Sequence, residues 1–498
     1  MKKPILLSAS LQFCARLSCL LFILIISSCK KENTILEEHI DPLVPEIVGT
    51  LSEQNYVIDS LNSLILYNGD AVDFTSRIVI NNDTLVISPA DTKLDLGKEY
   101  TATSSNSTFK LYRTEIPIIA LTTVSPDIPD DPKEPGTITI FENNVEPYQS
   151  NIGIEVRGGF SQSFPKQSYS VELWEELDGE DTKSESLLGL RDDDDWILDG
   201  LWNEPLRVRD FSSHALWLQM ARFNYSEDEP EAVLGIQRKY CELFLNGAYR
   251  GVYYLGEKVD RKQLKLKKFD EVIRGELYKG DSHGDGVNFY GVEPISNSEF
   301  YWSGYEMKYP DEIGEFDWSN IQSFVDFVVN SETADFDSEI ENWLDIQNAV
   351  DYYLFMNITY AQDNNGKNLY TARYDTDMPY LFVAWDMDGT FGNEWSGERY
   401  DNTDFILSNG LFDRLITSPI FVTELKSRWA TLQTSNLSAA SLKKLLGDNY
   451  EYLKSNGVYQ REALYEDLPY RYSEEEINFI NSWIDSRITF LDNHISNL

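Results

Sequence analysis

The sequence predicts an α+β protein: a small all-β, sandwich-like domain, then a bilobal domain whose strand-rich half precedes a helix-rich half. Three observations predict it. Residues 44–125 carry short alternating segments such as "LILYN", "RIVINN", "TLVIS" and "FKLYR", broken by Asn, Asp, Gly and Ser clusters at hairpin spacing. Residues 137–310 mix strand-like runs, among them "TITIFEN", "IGIEVRGG" and "CELFLNGAYRGVYYLGEKV", with one helical stretch at 206–223. From residue 317 helical patterns dominate, and from Ile346 the positions Ala349, Val350, Tyr353, Leu354 and Ile358 form one apolar helix face.

In chain order, Lys2, Lys3 and Arg16 precede the apolar run Leu20 to Ile26 and then Ser27-Ser28-Cys29, the order of a signal peptide over residues 1–28. Seven apolar residues are too few for a bilayer core of about 30 Å. The small residues before Cys29 look like a bacterial lipobox, so Cys29 is expected to carry a lipid that holds the protein to the cell envelope, at the outer membrane. Residues 29–43 read as a tether, 44–125 as the β module, and 126–136, within the Pro-rich "SPDIPDDPKEPG", as a stiff linker. The second domain is expected over 137–498.

The 498 residues are 42% hydrophobic and carry a net charge of −41. Removal of residues 1–28 takes three cations and no acid, leaving −44. Such a chain repels polyphosphate, so nucleic acid is not an expected partner. Cys14 and Cys19 leave with the signal and Cys29 is acylated, so Cys241, in the apolar run "KYCELFLNG", reads as a core residue with no disulfide partner.

The chemistry concentrates in residues 361–392, "AQDNNGKNLYTARYDTDMPYLFVAWDMDGTFG". Phosphoryl transfer needs a carboxylate to orient the attacking hydroxyl and oxygen ligands for the metal on the phosphates. Asp363 and Asn368 stand at the D-x-x-x-x-N spacing of kinase catalytic loops, after the helix that starts near Ile346. "NLYTARYD" and "YLFVAWD" then form a hairpin that ends at Asp386 in "DMDG". Lys367 is placed to neutralise a phosphate. The bilobal layout is also that of protein kinases.

Competing readings exist. Asp363, Asn364 and Asn365 could simply cap and turn after a helix. "FVAWDMDGTF" also fits the motif of haloacid-dehalogenase-type phosphatases, with Asp386 as nucleophile and Asp388 as acid/base. That motif follows the first strand of a parallel sheet, whereas the 106 residues after Gly392 read helical. A calcium loop lacks its D-x-D-x-D-G register and terminal Glu. "GDSHG" at Gly280 to Gly284 matches a serine-hydrolase elbow in letters, but no helical pattern follows it. The four histidines are scattered, without zinc spacing. Trp196, Trp202 and Trp217 read as core.

Four separated segments, "IEVRGGFSQSFPKQSYSVEL", "LLGLRDDDDWILDGLWNEPLRVRD", "ELFLNGAYRGVYYLGEKVDRKQLKL" and "FVAWDMDGTFG", resemble in order the spore coat protein H kinase-like (CotH) family, over about residues 137–495. The resemblance implies an atypical protein-kinase-like fold and ATP- and Mg²⁺- (or Mn²⁺-) dependent phosphorylation of Ser or Thr in a protein substrate or surface partner. By the same resemblance Asp363 is catalytic, Asn368 serves catalysis and metal, and Asp386 holds metal, with Asp388 in the same W-D-x-D run. Arg157, Ser161 and Lys166 match the nucleotide turn and its strand lysine. Glu257, beside Lys258, and Lys279 match the family's E-K and L-Y-K. The turn reads "RGGFS" where the family has R-G-N-S-S, and Arg209-Asp210 replaces R-N. Because an envelope protein faces a compartment poor in ATP, a kinase-like surface-binding or adhesion scaffold without turnover is the second reading.

Overall fold

The computed structural model describes residues 46–310, 316–435, 438–463 and 474–498; the signal peptide, Cys29 and the tether lie outside them. The first seven strands are β1 (Val48–Thr50), β2 (Tyr56–Asp59), β3 (Leu64–Asn68), β4 (Arg77–Ile80), β5 (Asp83–Ser88), β6 (Tyr100–Thr103) and β7 (Thr108–Thr114). Hydrogen bonding joins them in one mixed sheet, in the order β1-β4-β5-β6-β7-β3-β2. The expected sandwich is therefore a single ladder, because β3 pairs in parallel with β7 and fuses the two hairpin groups. Leu51, Phe74, Ile78 and Tyr100 fill its core.

The next strands are β8 (Ile118–Thr123), β9 (Glu134–Phe141), β10 (Tyr148–Arg157), β11 (Ser168–Trp174), a two-residue pair β12 (Glu185–Ser186) and β13 (Asp192–Asp193), β14 (Asp195–Asp199), β15 (Arg238–Leu245) and β16 (Ala248–Gly256). Seven of them close a barrel, β10-β11-β14-β16-β15-β8-β9. This moves the boundary expected at residue 125: β8 pairs with β9 along Ile118–Thr123 and with β15 in parallel, so it belongs to the barrel. The Pro-rich segment 126–136 forms most of the connection of the β8–β9 hairpin and, from Glu134, the start of β9, and so is not an interdomain linker. Proline stiffens a hairpin loop as well as a linker, and composition alone does not separate the two. Trp196, Cys241 and Leu243 pack inside the barrel wall. Burying one such large side chain contributes about 1.5–3 kcal/mol. Burial pushes the Cys241 thiol well up, as suits a core residue.

The helices are α1 (Arg209–Met220), α2 (Arg261–Leu264), α3 (Ser319–Asn330), α4 (Thr333–Trp343), α5 (Ile346–Thr359), α6 (Gly410–Leu415), α7 (Pro419–Gln433), α8 (Ala439–Ser455), α9 (Val458–Glu462) and α10 (Glu474–Asn497). They surround an antiparallel sheet of β17 (Glu276–Gly280), β18 (Tyr301–Trp302), β19 (Tyr305–Tyr309), β20 (Leu369–Arg373) and β21 (Tyr380–Ala384), in the order β18-β19-β17-β20-β21. The expected hairpin is β20–β21, in register from Leu369↔Ala384 to Arg373↔Tyr380.

α5 starts where Asp345 accepts from the Asn348 amide at 3.0 Å and stops at Tyr360, in the left-handed region. Only Gln347 of its fourteen residues is exposed, so the single apolar face read from the sequence is a helix buried all round. Its buried Asp351 is paired by Arg222 at 2.8 Å and Arg428 at 2.7 Å. No helix among the described residues is long and apolar enough to cross a membrane.

Candidate active site

Two asparagines tie the start of α5 and the turn that follows its end to β21 and the residue after it. Asn348 clasps β21, donating to Phe382 O at 3.2 Å and accepting from Phe382 N at 2.7 Å. Asn364, buried in the 3-10 turn Asp363–Asn365, donates to Asn368 O at 2.5 Å and Trp385 O at 2.6 Å. These bonds fix Asp363, Asn368 and Asp386 relative to one another. Asn368 and Asp386 both adopt positive φ, +51° and +55°, a conformation that Asn and Asp tolerate better than other side chains. Replacing Asn364 by alanine strands two carbonyls and is expected to cost about 2–4 kcal/mol. A urea transition shifted to lower midpoint with unchanged slope checks it.

The three side chains open on a cavity of about 360 Å³ at the rim of the barrel. Arg157 and the turn at Gly158 to Phe164 form one wall, with Phe160 set edge-on to Trp395 at 5.2 Å. The Asp386 side chain is exposed on the cavity. Desolvation by the crowded cavity walls pushes its carboxyl up; Asp199 adds to the rise, and Arg157, Arg238 and Lys279 oppose it. Burial, then the Asp386 charge, raises Asp388 well above the usual range, and Asn203 donates to Asp388. The side chains of Asp386 and Asn368 have no hydrogen-bond partner among the described residues, whereas Asp363 lies 3.9 Å from His283 Nε2.

Lys166 is buried on the barrel side of the cavity. Its Nζ donates to Val252 O at 2.5 Å and Glu462 Oε1 at 2.8 Å and lies 4.7 Å from the Tyr253 ring centroid. Burial pushes the amine down to about 8, against the Glu462 charge. Burial alone would raise Glu462; Arg207, at 3.3 Å, and Lys166 outweigh it and hold the carboxyl at about 2. Gly251 gives the pair room: its φ is +88°, and a Cβ there would lie 2.6 Å from Glu462 Oε1.

A family model described as CotH kinase protein matches residues 154–491, well over half of the chain. The chain belongs to the CotH family. It is also similar to the inner spore coat protein H of Bacillus subtilis (strain 168), with 22% identity over 413 residues, 79% of this chain and 99% of that protein.

Against the CotH motifs, Arg157, Ser161, Lys166, Glu257, Lys279, Asp363, Asn368, Asp386 and Asp388 all lie on the wall of this one cavity. Their surroundings differ. Arg157 stands 4.0 Å from Asp199 and 5.8 Å from the Trp385 ring, and Lys279 is 3.4 Å from Asp281 and 3.8 Å from Glu306. Glu257 is spoken for: its carboxylate accepts from the amides of Arg191 at 3.2 Å and Gln237 at 2.9 Å and from Gln263 Nε2 at 2.7 Å. While lining the cavity it also braces the backbone at Arg191 and Gln237. Lys258 turns to Asp195 at 2.8 Å.

Sequence reasoning missed Glu462, Asn203, Arg238 and His283, and saw Asn364 only as a turn former. Asn203 lies inside "LWNEPLRVRD" and could have been singled out there; nothing local marks Glu462, which lies 296 residues from Lys166. Trp202, expected in the core, is half-buried on the cavity wall. The phosphatase alternative fails because β21 lies in an antiparallel sheet. The elbow alternative fails because "GDSHG" leads from β17 into turns and not a helix.

Proposed function

We propose that this protein is a CotH-type atypical protein kinase that transfers the γ-phosphate of ATP to Ser or Thr of an envelope or surface protein. The observation that carries the reading is the opening of Asp363, Asn368 and Asp386 onto one cavity shared with the cations Arg157, Lys166 and Lys279. Asp363 is partly exposed there, so it can orient an incoming hydroxyl and take its proton. Asp386 and Asn368 have oxygens not committed to the protein, which suits the hard-oxygen chemistry of Mg²⁺ or Mn²⁺. Among the described residues no three His, Cys, Asp or Glu side chains cluster as a ready-made metal cage. Mg²⁺ takes one or two carboxylates and completes its shell with phosphate and water oxygens. Mg²⁺, when bound, neutralises charge on the phosphates. Arg157, Lys166 and Lys279 bind phosphate oxygens, Asp388 is a further metal-facing carboxylate, and the turn bearing Ser161 covers the nucleotide. The acylated Cys29 keeps this activity at the envelope, in the outer membrane.

The test is transfer of label from γ-labelled ATP with Mg²⁺ or Mn²⁺, to the protein itself and to generic acidic and basic proteins. Asp363→Ala is expected to reduce transfer by about 10²–10⁴-fold, the range of a positioned general base. No label from the natural protein, together with no thermal shift by ATP, moves the reading to a kinase-like surface-binding scaffold.

A further inference from the structure

The N-terminal sheet packs on the barrel through Leu64, Leu66 and Tyr112 against Phe244 and Tyr249, with Asp59 accepting from the Tyr249 amide at 2.8 Å, and it reaches α9 through a joint. α8 ends at Ser455, Asn456 and Gly457 turn the chain, and α9 runs to Glu462. Asn456 is fully buried, and its side-chain oxygen accepts from the Glu115 amide at 2.6 Å and Thr114 Oγ1 at 3.2 Å, both at the end of β7. Beside it two glycines meet. A Cβ on Gly97, whose φ is +65°, would lie 2.2 Å from Ser455 O and 2.7 Å from Gly457 N. On the next turn Arg461 donates to Asn456 O at 2.5 Å, is paired with Glu242 of the barrel, and stands 5.3 Å from the ring of Tyr112 in β7. α9 is thus held between β7 and the barrel strands β15 and β16, with Glu462 projecting to Lys166.

We propose that the N-terminal sheet is a working part of the active site: through Gly97, Thr114 and Glu115 it sets the Asn456–Gly457 joint, and the joint places Glu462 against Lys166. Glu462 and Asn456 are then positioning residues, and whatever shifts the sheet changes the charge state and placement of the cavity lysine. What Lys166 does for substrate rests on the phosphotransfer reading; the coupling itself does not.

The groups facing Lys166 are Glu462 and Arg207, with Glu242 further off, besides Val252 O and the Tyr253 ring. If the joint slackens, Lys166 keeps its barrel contacts and loses the Glu462 charge, so its amine becomes neutral at lower pH. The experiment is competitive acetylation of the full chain across pH without nucleotide, with Lys166 followed by mass spectrometry. Asn456→Leu removes the acceptor, Asn456→Asp retains it, and Gly97→Val obstructs the joint from the other side. The midpoint of the natural protein is expected at about 8. It is expected to fall in Asn456→Leu and Gly97→Val, making the amine about fivefold more reactive at neutral pH for a tenfold loss of proton affinity, and to return in Asn456→Asp. A midpoint unchanged in both disruptive variants overturns the proposal, and so does a rise towards that of a solvated lysine, which would mean that the barrel itself has opened. Should either variant fail to fold, the other with Asn456→Asp still decides. Absence of labelled-phosphate transfer in the natural protein overturns the kinase reading and leaves this result standing.

Discussion

Glu462→Ala is expected to cost about 3–5 kcal/mol of unfolding free energy at neutral pH, because it leaves Lys166 and Arg207 buried without their counter-charge. The carboxylate accepts from Lys166, from Arg207 and from the Val252 amide at 3.1 Å, and it is almost wholly removed from water. Glu462→Gln keeps the shape and part of the hydrogen bonding, and so separates charge from packing. The sign of the pH dependence follows from the depressed carboxyl. Its folded value of about 2 lies below the unfolded value, so its stabilisation is complete above the ordinary carboxylate range and is lost as pH falls towards 2. The gap between the natural protein and Glu462→Gln in urea unfolding is therefore expected to be widest at neutral pH and to close in acid. Equal midpoints at neutral pH would remove the pair from any account of this fold.

The same pair shows what the sequence could and could not convey. The β20–β21 hairpin and α5 were legible because their signals are local: short apolar alternating segments around a turn, and apolar positions at helical spacing from Ile346. The co-location of Asp363, Asn368 and Asp386 was legible because one helix, one turn and one hairpin carry all three. Lys166 was legible through the resemblance of its segment to the family, but its partner was not. Glu257 follows the "GVYYLG" motif and drew the eye, yet backbone amides occupy it, while Glu462 sits in a short helix with no distinguishing pattern. β8 was misplaced for a related reason. A strand of six residues reads alike whether it ends one sheet or begins a barrel, and its partners decide: β9, across the Pro-rich loop, and the parallel β15, more than a hundred residues on.

Arg487→Met is expected to lower stability by about 2–4 kcal/mol, since the buried carbonyl of Asn357 and the part-buried carbonyls of Thr403 and Phe405 lose a donor, at about 1–3 kcal/mol for a fully buried one. Arg487 lies on α10 and is fully buried. It donates to Asn357 O at 2.7 Å, Thr403 O at 2.9 Å and Phe405 O at 2.6 Å, and its guanidinium lies 4.7 Å from the Tyr360 ring. Burial pushes the guanidinium down to about 10, so it remains charged at neutral pH, held by carbonyls and aromatic faces; no carboxylate lies within ion-pair distance of it among the described residues. Its contacts converge where α5 ends, three residues before Asp363. Arg487→Lys keeps a cation, but one ammonium cannot reproduce the planar fork that reaches three carbonyls, so it is expected to fall between methionine and the natural residue. A functional consequence goes with the structural one. Freed from Arg487, the left-handed Tyr360 that stops α5 loses its cover, and the turn carrying Asp363 loosens with it. On the proposed kinase reading, and under conditions where the variant stays folded, phosphate transfer should therefore fall through its maximal rate more than through ATP affinity, because the cations proposed to bind phosphate stand on the barrel and on β17. A stability loss below about 1 kcal/mol, the scale of an ordinary surface substitution, or a defect confined to ATP affinity, would show that α10 does not hold the catalytic turn in place.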